Sequence, residues 1–595
     1  MNIRVLVLAV FCGAFAAASF GKTIYVSPEG SGDGTEGNPF GTVWDAVKAA
    51  AANDTIKLAD GTYANEVGKG TGGNACYYEI GSDKGGVTVE GNVADPSKVV
   101  IDVAGNNQGL RIFLVQGAGV TIKGITIRNF SSNTDSSPVV RAASGARNFT
   151  LSDCVFENVV KSVGNSSALT ASDTGIVVDN CKFMACTNTA GTGGAIALEQ
   201  DNKVTRCFFK DCCASASGDN KGIGGAVYIN GSLAVVSDCV FTNCLACGQQ
   251  GGAVFVKSSG NTVSGCRFYD CLCTPDNAPK GGALYADAVC SLVDCEFVHC
   301  GFTKNAGTPF GSAVYFNAAG SLTNVTIRGC EVIQYALCFN ANAACVGCTF
   351  KNNKPYTGVT YSGCAVGLRN KYDATFDGCA FINNISQRGA CIHTKDTMKS
   401  VTVRNSLFAG NVTTTGNGGM ATEVVVSGTY VVDNCTFANN RCTGTSNDYG
   451  CPLEINGGTL AATNCVFWDN QKKDGTLRSV YVRSGTGTLS HSVYDGMRSS
   501  GKPTMSECQT IDACPFVQDG SWDGDVFTPG DYTLAKKVAE ADNPCVGKGV
   551  KLGWMTADSK DLAGNPRVRE NDLVDLGCYA YFNGAPKHGL LIFVR

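Results

Sequence analysis

The chain has 595 residues, with 74 glycines, 32 cysteines and only 16% charged side chains. Apolar residues make up 44% of it, which is too many for a disordered chain, and the glycine content is too high for a helical one. The formal net charge of -4 and the absence of any run of Lys or Arg argue against a nucleic-acid partner.

The N-terminus is typical of an export signal. Arg4 precedes an apolar run from Val5 to Ala18, which ends in small residues and is followed by Ser19-Phe20-Gly21. We therefore predict a signal peptide over 1–21 and a protein that is secreted or held at the cell surface. The run is short for a membrane span and no later segment approaches twenty apolar residues, so we expect no transmembrane segment in the mature chain.

Residues 22–64 are predicted to form an N-terminal cap. The segment from Val43 to Ala51 has the apolar spacing of an amphipathic helix. Such a helix would cover the open strand edge at the start of a stacked sheet, which otherwise promotes end-to-end pairing.

One short pattern then recurs along the chain, mostly at spacings of 26–32 residues; the gap of 52 between Gly311 and Gly363 holds a degenerate copy at Tyr335-Ala336-Leu337. A small-residue phrase opens each unit, and a Cys-x-Phe phrase, or an apolar or Ser variant of it, follows within the unit. The first phrase begins at Gly193, Gly224, Gly251, Gly281, Gly311, Gly363, Gly389, Gly418 and Gly450. The second begins at Cys154, Cys181, Cys207, Cys239, Cys266, Cys295, Val325, Cys348, Cys379, Ser406, Cys435, Cys465 and Ser492.

Each unit holds three short β segments and no stretch long enough for a crossover helix. Such a unit cannot bury an apolar face alone, so it must stack on its neighbours. We therefore predict an all-β fold, a single-stranded right-handed parallel β-helix over 65–500, followed by a small C-terminal cap module over 501–595. With strands about 4.8 Å apart, about fourteen coils would give a rod roughly 65 Å long.

The repeat resembles that of the chlamydial polymorphic membrane proteins and, more broadly, of bacterial secreted right-handed β-helix proteins of the pectate-lyase-like superfamily. The segments "FKNN" (350–353), "FINN" (381–384) and "FANN" (437–440) carry this resemblance beside the Gly-Gly-Ala-Ile phrase. The segments "NPCVGKGV" (543–550) and "DLAGNPRVRENDLVDLGCYAYF" (561–582) are similar to a C-terminal module of bacterial surface proteins. The resemblance implies an exported bacterial β-helix whose last residues cap or anchor it.

The cysteines follow the same period. Ten occupy the Cys-x-Phe position and six, from Cys186 to Cys330, occupy a position five residues further on. We expect two buried ladders of thiols, because Cys stacks as a compact hydrophobe where Asn would stack through hydrogen bonds. Disulfides between coils are the alternative, although parallel Cβ vectors disfavour their torsion. Off the ladders, Cys442–Cys451 and Cys508–Cys514 are better disulfide candidates, and we expect no metal site.

Right-handed β-helices include polysaccharide hydrolases and lyases. The hydrolase pattern combines Asn-Thr-Asp, Asp-Asp and Gly-His-Gly, of which only Asn133-Thr134-Asp135 occurs, and we interpret it as a loop. A lyase needs a basic side chain near carboxylates that hold Ca²⁺. Lys257, Asp287 and Arg369, which follow the Gly-Gly-Ala strands on the outer face, are the candidates. The competing interpretation is a solvated face of mixed charge.

Alternation within the same strands predicts that Tyr228, Phe255, Tyr285 and Tyr315 point outward on four successive coils. Their rings would form a solvent-facing platform for sugar rings or for a partner surface. The alternative is that they stack on each other only to protect the sheet.

The sequence thus favours an exported, non-catalytic β-helix that acts as an adhesin-like or glycan-binding scaffold. A polysaccharide lyase is the first alternative and a structural spacer is the second. The expected partner is a polysaccharide or a ligand on a host or cell surface. The expected state is a monomer without cofactor, and Ca²⁺ enters only under the lyase hypothesis.

Overall fold

The computed structural model describes residues 21–64, 76–104, 111–132, 138–216, 222–248, 250–274, 279–303, 309–358, 365–415, 418–445 and 450–582. All of the predicted signal peptide except its last residue, and the tripeptide Asn133-Thr134-Asp135, lie outside these ranges. Within them, no helix combines the length and the apolar character that crossing a membrane requires.

The chain forms a parallel β-solenoid of about 15 turns, which confirms the predicted fold class. Each coil contributes strands to three long columns, A, B and C, and most coils add a two-residue strand to a fourth, column D. The sequence predicts three strands in each coil, whereas most coils of the structure have a fourth strand, in column D. Column A begins directly after the Gly-Gly-Ala phrase, and column C begins directly after the Cys of the Cys-x-Phe phrase.

Column A contains Cys76–Ile80, Arg111–Val115, Val140–Ala142, Leu169–Ala171, Ile196–Leu198, Val227–Ile229, Val254–Val256, Leu284–Ala286, Val314–Phe316, Leu337–Phe339, Val366–Leu368, Ile392–Thr394 and Thr422–Val425. Column B contains Thr23–Val26, Thr55–Leu58, Thr88–Glu90, Thr121–Lys123, Thr150–Ser152, Val177–Asp179, Lys203–Thr205, Val235–Ser237, Asn261–Ser264, Cys290–Val293, Gly320–Thr323, Ala343–Val346, Asp373–Asp377, Ser400–Arg404, Thr429–Asp433 and Thr504–Ser506. The two columns merge in the long strands Leu453–Thr463 and Val480–Ser490.

Column C contains Gly61–Ala64, Val99–Asp102, Thr126–Arg128, Val155–Lys161, Lys182–Asn188, Phe208–Lys210, Val240–Thr242, Arg267–Tyr269, Glu296–Val298, Thr326–Arg328, Thr349–Lys351, Ala380–Ile382, Leu407–Ala409, Thr436–Ala438, Val466–Trp468, Val493–Tyr494 and Gln509–Thr510. Column D contains Ser131–Ser132, Cys213–Ala214, Leu245–Ala246, Leu272–Cys273, Gly301–Phe302, Glu331–Val332, Lys354–Pro355, Ile385–Ser386, Val412–Thr413, Arg441–Cys442 and Gln471–Lys472.

Residues in the left-handed αL conformation turn the chain at two corners of each coil. One precedes the Cys-x-Phe phrase, as at Asn180 and Asp238, where φ is 51° and 55°. The other follows column C, as at Asp211 and Asn243, where φ is 54° and 52°. Asn, Asp and Gly tolerate this conformation best, which explains why these residue types recur directly before the ladder positions.

Stacked phenylalanine rings form the centre of the core. Rings in neighbouring coils lie nearly parallel, with centroids 4.5–5.0 Å apart from Phe156 to Phe297. A second run from Phe350 to Phe467 has the same geometry. Because each ring stacks on its own copy, the repeat position fixes the register of the coils.

The two predicted cysteine ladders are present. Cys181 Sγ donates to the carbonyl oxygens of Asp179 at 3.3 Å and of Leu151, in the preceding coil, at 3.5 Å. No disulfide joins any of the cysteines that the structure describes, so the predicted Cys442–Cys451 and Cys508–Cys514 disulfides are wrong. The Cys508 thiol instead extends the first ladder, because it donates to the carbonyl oxygens of Leu489 and Ser506. Cys442 lies in a column D strand, where its backbone is in register with Thr413 and Lys472 on the neighbouring coils.

The second cysteine ladder continues after Cys330 as a column of buried asparagines. Each amide Nδ2 donates to the Oδ1 of the next asparagine at 2.8–3.0 Å, in the order Asn353, Asn384, Asn411, Asn440 and Asn470. Each Oδ1 also accepts a backbone N–H from the preceding coil. Cysteine and asparagine therefore occupy one structural position, as the sequence predicts.

The helix Val43–Ala49 covers the first coils and is two residues shorter than predicted. Val43, Ala46 and Val47 are buried against the first strands of columns A and B. Thr42 caps the helix, because its hydroxyl accepts the backbone N–H of Asp45. Parallel pairing already begins at Thr23, inside the predicted cap, and two short 3-10 helices, Ser82–Lys84 and Pro96–Lys98, follow.

Beyond Thr510 the chain leaves the parallel pattern and folds back onto the outer face of column C. Three hairpins pair Phe516–Gln518 with Asp531–Leu534, Ser521–Asp523 with Val526–Thr528, and Lys537–Val538 with Ala541–Asp542; a 3-10 turn, Glu570–Asp572, follows them. Phe516, Phe527 and Tyr532 belong to one buried cluster with Leu407 and Val466. This module therefore covers the side of the last coils.

Candidate functional site

The outer face of column A carries two straight rows of side chains. The middle row comes from the central residue of each strand and reads Arg141, Thr170, Ala197, Tyr228, Phe255, Tyr285, Tyr315, Cys338, Gly367, His393, Glu423, Glu454 and Tyr481. The flanking row comes from the residue after each strand and reads Glu199, Asn230, Lys257, Asp287, Asn317, Asn340, Arg369 and Lys395. Every member of the flanking row is partly or fully exposed.

Hydrogen bonds run along the flanking row. Asp287 Oδ1 accepts from the Tyr285 hydroxyl at 3.0 Å and from Asn317 Nδ2 at 2.9 Å. Asn340 Nδ2 donates to Asn317 Oδ1 at 3.2 Å, and Asn370 Nδ2 donates to Asn340 Oδ1 at 2.8 Å. From Asp287 to Asn340 the flanking row is therefore a preorganised line of amide and carboxylate groups.

The structure does not assemble the predicted lyase residues into one site. Lys257 and Asp287 lie on adjacent coils, but the Oδ1 atom of Asp287 already accepts two hydrogen bonds. Arg369 lies three coils further along, about 14 Å from Asp287 at the strand spacing. Its guanidinium instead stacks on the Phe310 ring, with Cζ 4.1 Å from the ring centroid.

The four predicted binding aromatics form a stacked column outside the main core, but the expectation that they face solvent is wrong. Their rings stack with centroids 5.1–5.6 Å apart. Tyr228 is 6% exposed, Phe255 and Tyr285 are 3% exposed, and Tyr315 is 1% exposed. They belong to a hydrophobic cluster that is separate from the main core.

Side chains from the turns that precede column A cover this aromatic column. Ile223, Phe310 and Tyr335 belong to the same buried cluster, and Lys280 Nζ lies 5.3 Å from the centroid of the Tyr315 ring. Burial, together with the charge of Arg369, lowers the pKa of Lys280. The sequence could not show this cover, because it arises where the connections between column D and column A fold over the column A strands.

At the N-terminal end of the middle row, small side chains leave a pocket of about 210 Å³. Thr170 and Ala197 stand where bulky rings stand in the next coils. Arg141 Nε faces no hydrogen-bond acceptor among the described residues, and the Thr170 hydroxyl lies 2.7 Å from that of Ser166. The pocket is lined by Pro138, Arg141, Gly164, Asn165, Thr170, Ser172 and Glu199.

At the C-terminal end, the middle row changes from aromatic to ionisable side chains. The Tyr335 ring lies over Gly367, where a Cβ would approach it to 2.1 Å, and the Tyr335 hydroxyl lies 3.2 Å from His393 Nδ1. His393 Nε2 lies 3.9 Å from Glu423 Oε2. Glu454, on the next coil, is fully buried, and neither of its carboxylate oxygens has a hydrogen-bond partner in the described structure.

Burial shifts the acid–base properties of all three groups. Burial and then the charge of Glu423 raise the pKa of Glu454 to about 8, although Arg483, Arg498 and Arg388 oppose this. Burial also raises the pKa of Glu423, against Arg388 and Arg483. Burial, with Arg388 and Lys395, lowers the pKa of His393 to about 4. These shifts favour the protonated form of Glu454 and the uncharged form of His393 at neutral pH.

Glu423 and Glu454 are absent from the sequence-based candidates because their repeat phrases are degenerate. The phrase reads Gly-Gly-Met before Glu423 and Gly-Cys-Pro before Glu454. The signal that would find them is the register itself, since both residues stand at the repeat position of Tyr228. His393 stands at that position too, and it is the one histidine that the sequence places on this face.

A family model described as "Right handed beta helix region" matches residues 220–354. No curated protein sequence matches the chain. Among solved structures, a rhamnogalacturonan lyase shares 14% identity over 84% of this chain and 91% of its own, with a TM-score of 0.22. A mannuronic acid specific family 6 polysaccharide lyase from the human gut microbiota shares 13% identity over 69% and 86%, with a TM-score of 0.33.

A tailspike protein mutant of Escherichia coli bacteriophage HK620, in complex with a hexasaccharide, shares 14% identity over 77% of this chain and 70% of its own, with a TM-score of 0.32. At these scores none of the likenesses assigns an activity to this chain.

Proposed function

We propose that this protein is an exported β-helix scaffold of the cell surface that binds polysaccharide along the outer face of column A. The flanking row carries this proposal. It presents donors and acceptors in a straight line at one fixed spacing, and sugar hydroxyls both donate and accept hydrogen bonds. A chain of similar sugar units can therefore meet similar groups on successive coils.

The row is also rigid before any ligand binds. The hydrogen bonds from Asp287 through Asn317 to Asn340 fix the side chains, and the covered aromatic column holds the strands beneath them. Preorganised groups lose less side-chain entropy on binding, which favours affinity. In this proposal Tyr228, Phe255, Tyr285 and Tyr315 support the face from below and do not contact the ligand.

Two alternatives have weaker support. A lyase that uses Lys257, Asp287 and Arg369 would need these groups at one point, whereas the coils separate them. A structural spacer would need none of the polar hydrogen bonding along the flanking row. Export, cell-surface localisation and a monomeric state are part of the proposal, and cell fractionation and light scattering of the mature protein test them.

Affinity electrophoresis of the mature protein through gels that contain neutral, acidic or amino polysaccharides tests the proposal. We expect retardation in at least one gel and at least a tenfold weaker retention for the Asn317→Ala/Asn340→Ala double variant. Lys182→Ala/Lys210→Ala, on the exposed face of column C, is the matched control and should bind normally. Equal retention of both variants would contradict the proposed face, and no retardation in any gel would favour the spacer. Unsaturated product that forms with Ca²⁺ would favour the lyase.

A further inference from the structure

The pocket at the N-terminal end of the middle row lies where the covered aromatic column ends. Tyr228 is the first ring of that column, and the two preceding coils have Ala197 and Thr170 at the same position. These small side chains leave a cavity of about 210 Å³. Drug-sized ligands occupy cavities of about 300–1,000 Å³, so this pocket has room for one small ring and not for an oligomer.

One wall of the pocket is fixed by two buried polar side chains. Lys161 Nζ donates to the carbonyl oxygens of Asn165 at 3.0 Å and of Ser166 at 3.1 Å. Asn188 Nδ2, on the next coil, donates to the Gly164 carbonyl oxygen at 3.0 Å. Both donors are fully buried. The turn that forms this wall is therefore held in place before any ligand binds, which lowers the entropic cost of binding.

The polar side chains that line the pocket come from three successive coils. Arg141 stands on the first coil, Thr170 and Ser172 on the second, and Glu199 on the third. Arg141 and Glu199 are thus about 10 Å apart along the rod. Arg141 Nε is buried and faces no acceptor among the described residues. Because buried donors in native structures almost always have a partner, this one indicates that the pocket receives a hydrogen-bond acceptor.

The balance of charge in the pocket favours a neutral ligand. Of the lining side chains, Arg141 is cationic and Glu199 is anionic. An anion would be attracted by one of them and repelled by the other, and the same holds for a cation. The guanidinium only donates hydrogen bonds, the carboxylate only accepts them, and the two hydroxyls do both. A sugar ring without charge, whose hydroxyls donate and accept, can satisfy all of these groups.

The pocket also lies at the end of the flanking row. Glu199 belongs to that row, and Ser172 stands at the same repeat position one coil earlier. On the coil before that, the position is occupied by Ala143, which has no side-chain donor or acceptor. The line of hydrogen-bonding groups therefore stops at the pocket, and a chain that lies along the row would end there.

We propose that this pocket binds the terminal unit of a neutral polysaccharide. In this assignment Arg141 donates to the ring hydroxyls on one side of the sugar, and Glu199 accepts from those on the other side. The assignment rests on the polysaccharide binding proposed above, and it narrows the ligand to a chain whose end unit carries no charge.

Isothermal titration of the mature protein with methyl glycosides tests the pocket. The neutral probes are methyl glucoside, methyl galactoside and methyl mannoside; methyl glucuronoside is the anionic probe and methyl glucosaminide the cationic one. We expect a neutral probe to bind at least tenfold more tightly than both charged ones. Arg141→Gln and Glu199→Gln should each weaken its binding at least tenfold. Arg147→Gln, an exposed arginine outside the pocket, is the matched control and should bind normally.

A variant that fills the pocket separates binding there from binding elsewhere. Thr170→Phe introduces a ring at the position where the later coils have one, so it should abolish binding of the neutral glycoside while the protein stays folded by circular dichroism. Ser172→Leu changes a partly exposed side chain at the edge of the pocket and should weaken binding without touching the buried row. It keeps the test decisive where Thr170→Phe does not fold.

Tighter binding of a charged glycoside than of every neutral one would overturn the assignment, and so would binding that Arg141→Gln and Glu199→Gln leave unchanged. If no glycoside binds but Asn317→Ala/Asn340→Ala still weakens polysaccharide retention, the pocket is overturned and the proposed function stands. Glycoside binding that Thr170→Phe abolishes, without retention of any polysaccharide, would support the pocket and contradict the flanking row as a binding face.

Discussion

The carboxyl group of Glu454 should make the stability of this protein depend strongly on pH. Its pKa is raised from 4.5 to about 8 in the folded chain, chiefly by burial. A group whose folded pKa is raised contributes its full stability below the unfolded pKa and loses it as pH rises through the folded pKa. Stability should therefore fall between about pH 4.5 and pH 8, and level off above that.

The size of this fall follows from linkage. The folded and unfolded pKa values of Glu454 differ by about 3.5, and each unit corresponds to about 1.4 kcal/mol, so the full fall approaches 5 kcal/mol. Glu423 also has a raised pKa and interacts with Glu454, so the measured fall belongs to the pair. Glu454→Gln replaces the carboxyl group by an amide that does not ionise, and it should remove most of the fall.

Guanidinium unfolding at pH 5, 6, 7, 8 and 9, followed by far-ultraviolet circular dichroism, measures the effect. The wild-type midpoint should drop from pH 5 to pH 8 and then level off, while that of Glu454→Gln should change much less. Glu36→Gln removes an exposed carboxyl group and should follow the wild type. Parallel pH profiles for wild type and Glu454→Gln would refute the buried, unpartnered state of this side chain.

Three further variants test the interior. Asn411→Ala leaves the Nδ2 and the backbone N–H of Asn384 without their acceptor, so we expect the free energy of unfolding, measured with denaturant, to fall by about 2–5 kcal/mol. Asn411→Cys restores the residue that the earlier coils have at this position, so its free energy of unfolding should fall less. Equal losses for the two variants would contradict the shared position of Cys and Asn. Phe408→Ala should cost about 3–5 kcal/mol in the same assay because its ring stacks on both neighbours, and a loss below 1 kcal/mol would argue against the column. Tyr285→Ala should lower the unfolding midpoint because this ring is buried, and an unchanged midpoint with lost polysaccharide retention would restore the solvent-facing platform.

The fold was predictable because the repeat is written directly in the sequence. A phenylalanine ring stacks on its own copy, and Cys or Asn bonds to the coil before it, so one position repeated along the chain defines the register. The same periodicity placed the flanking row, including Lys257, Asp287 and Arg369, on the outer face of column A. It did not predict the fourth strand column, because two-residue strands leave no alternation to detect.

The sequence by itself therefore determined which residues share a column, since parallel stacking turns a repeat position into a spatial neighbour. Only the tertiary structure decided which outward side chains reach water, because that depends on how the turns before column A fold over it. This cover buries Tyr285 and Tyr315. At the other end of the middle row, Glu423 and Glu454 from two degenerate repeats lie side by side and are buried. Exposure follows from contacts made by chain segments outside the repeat pattern, so periodicity could not supply it.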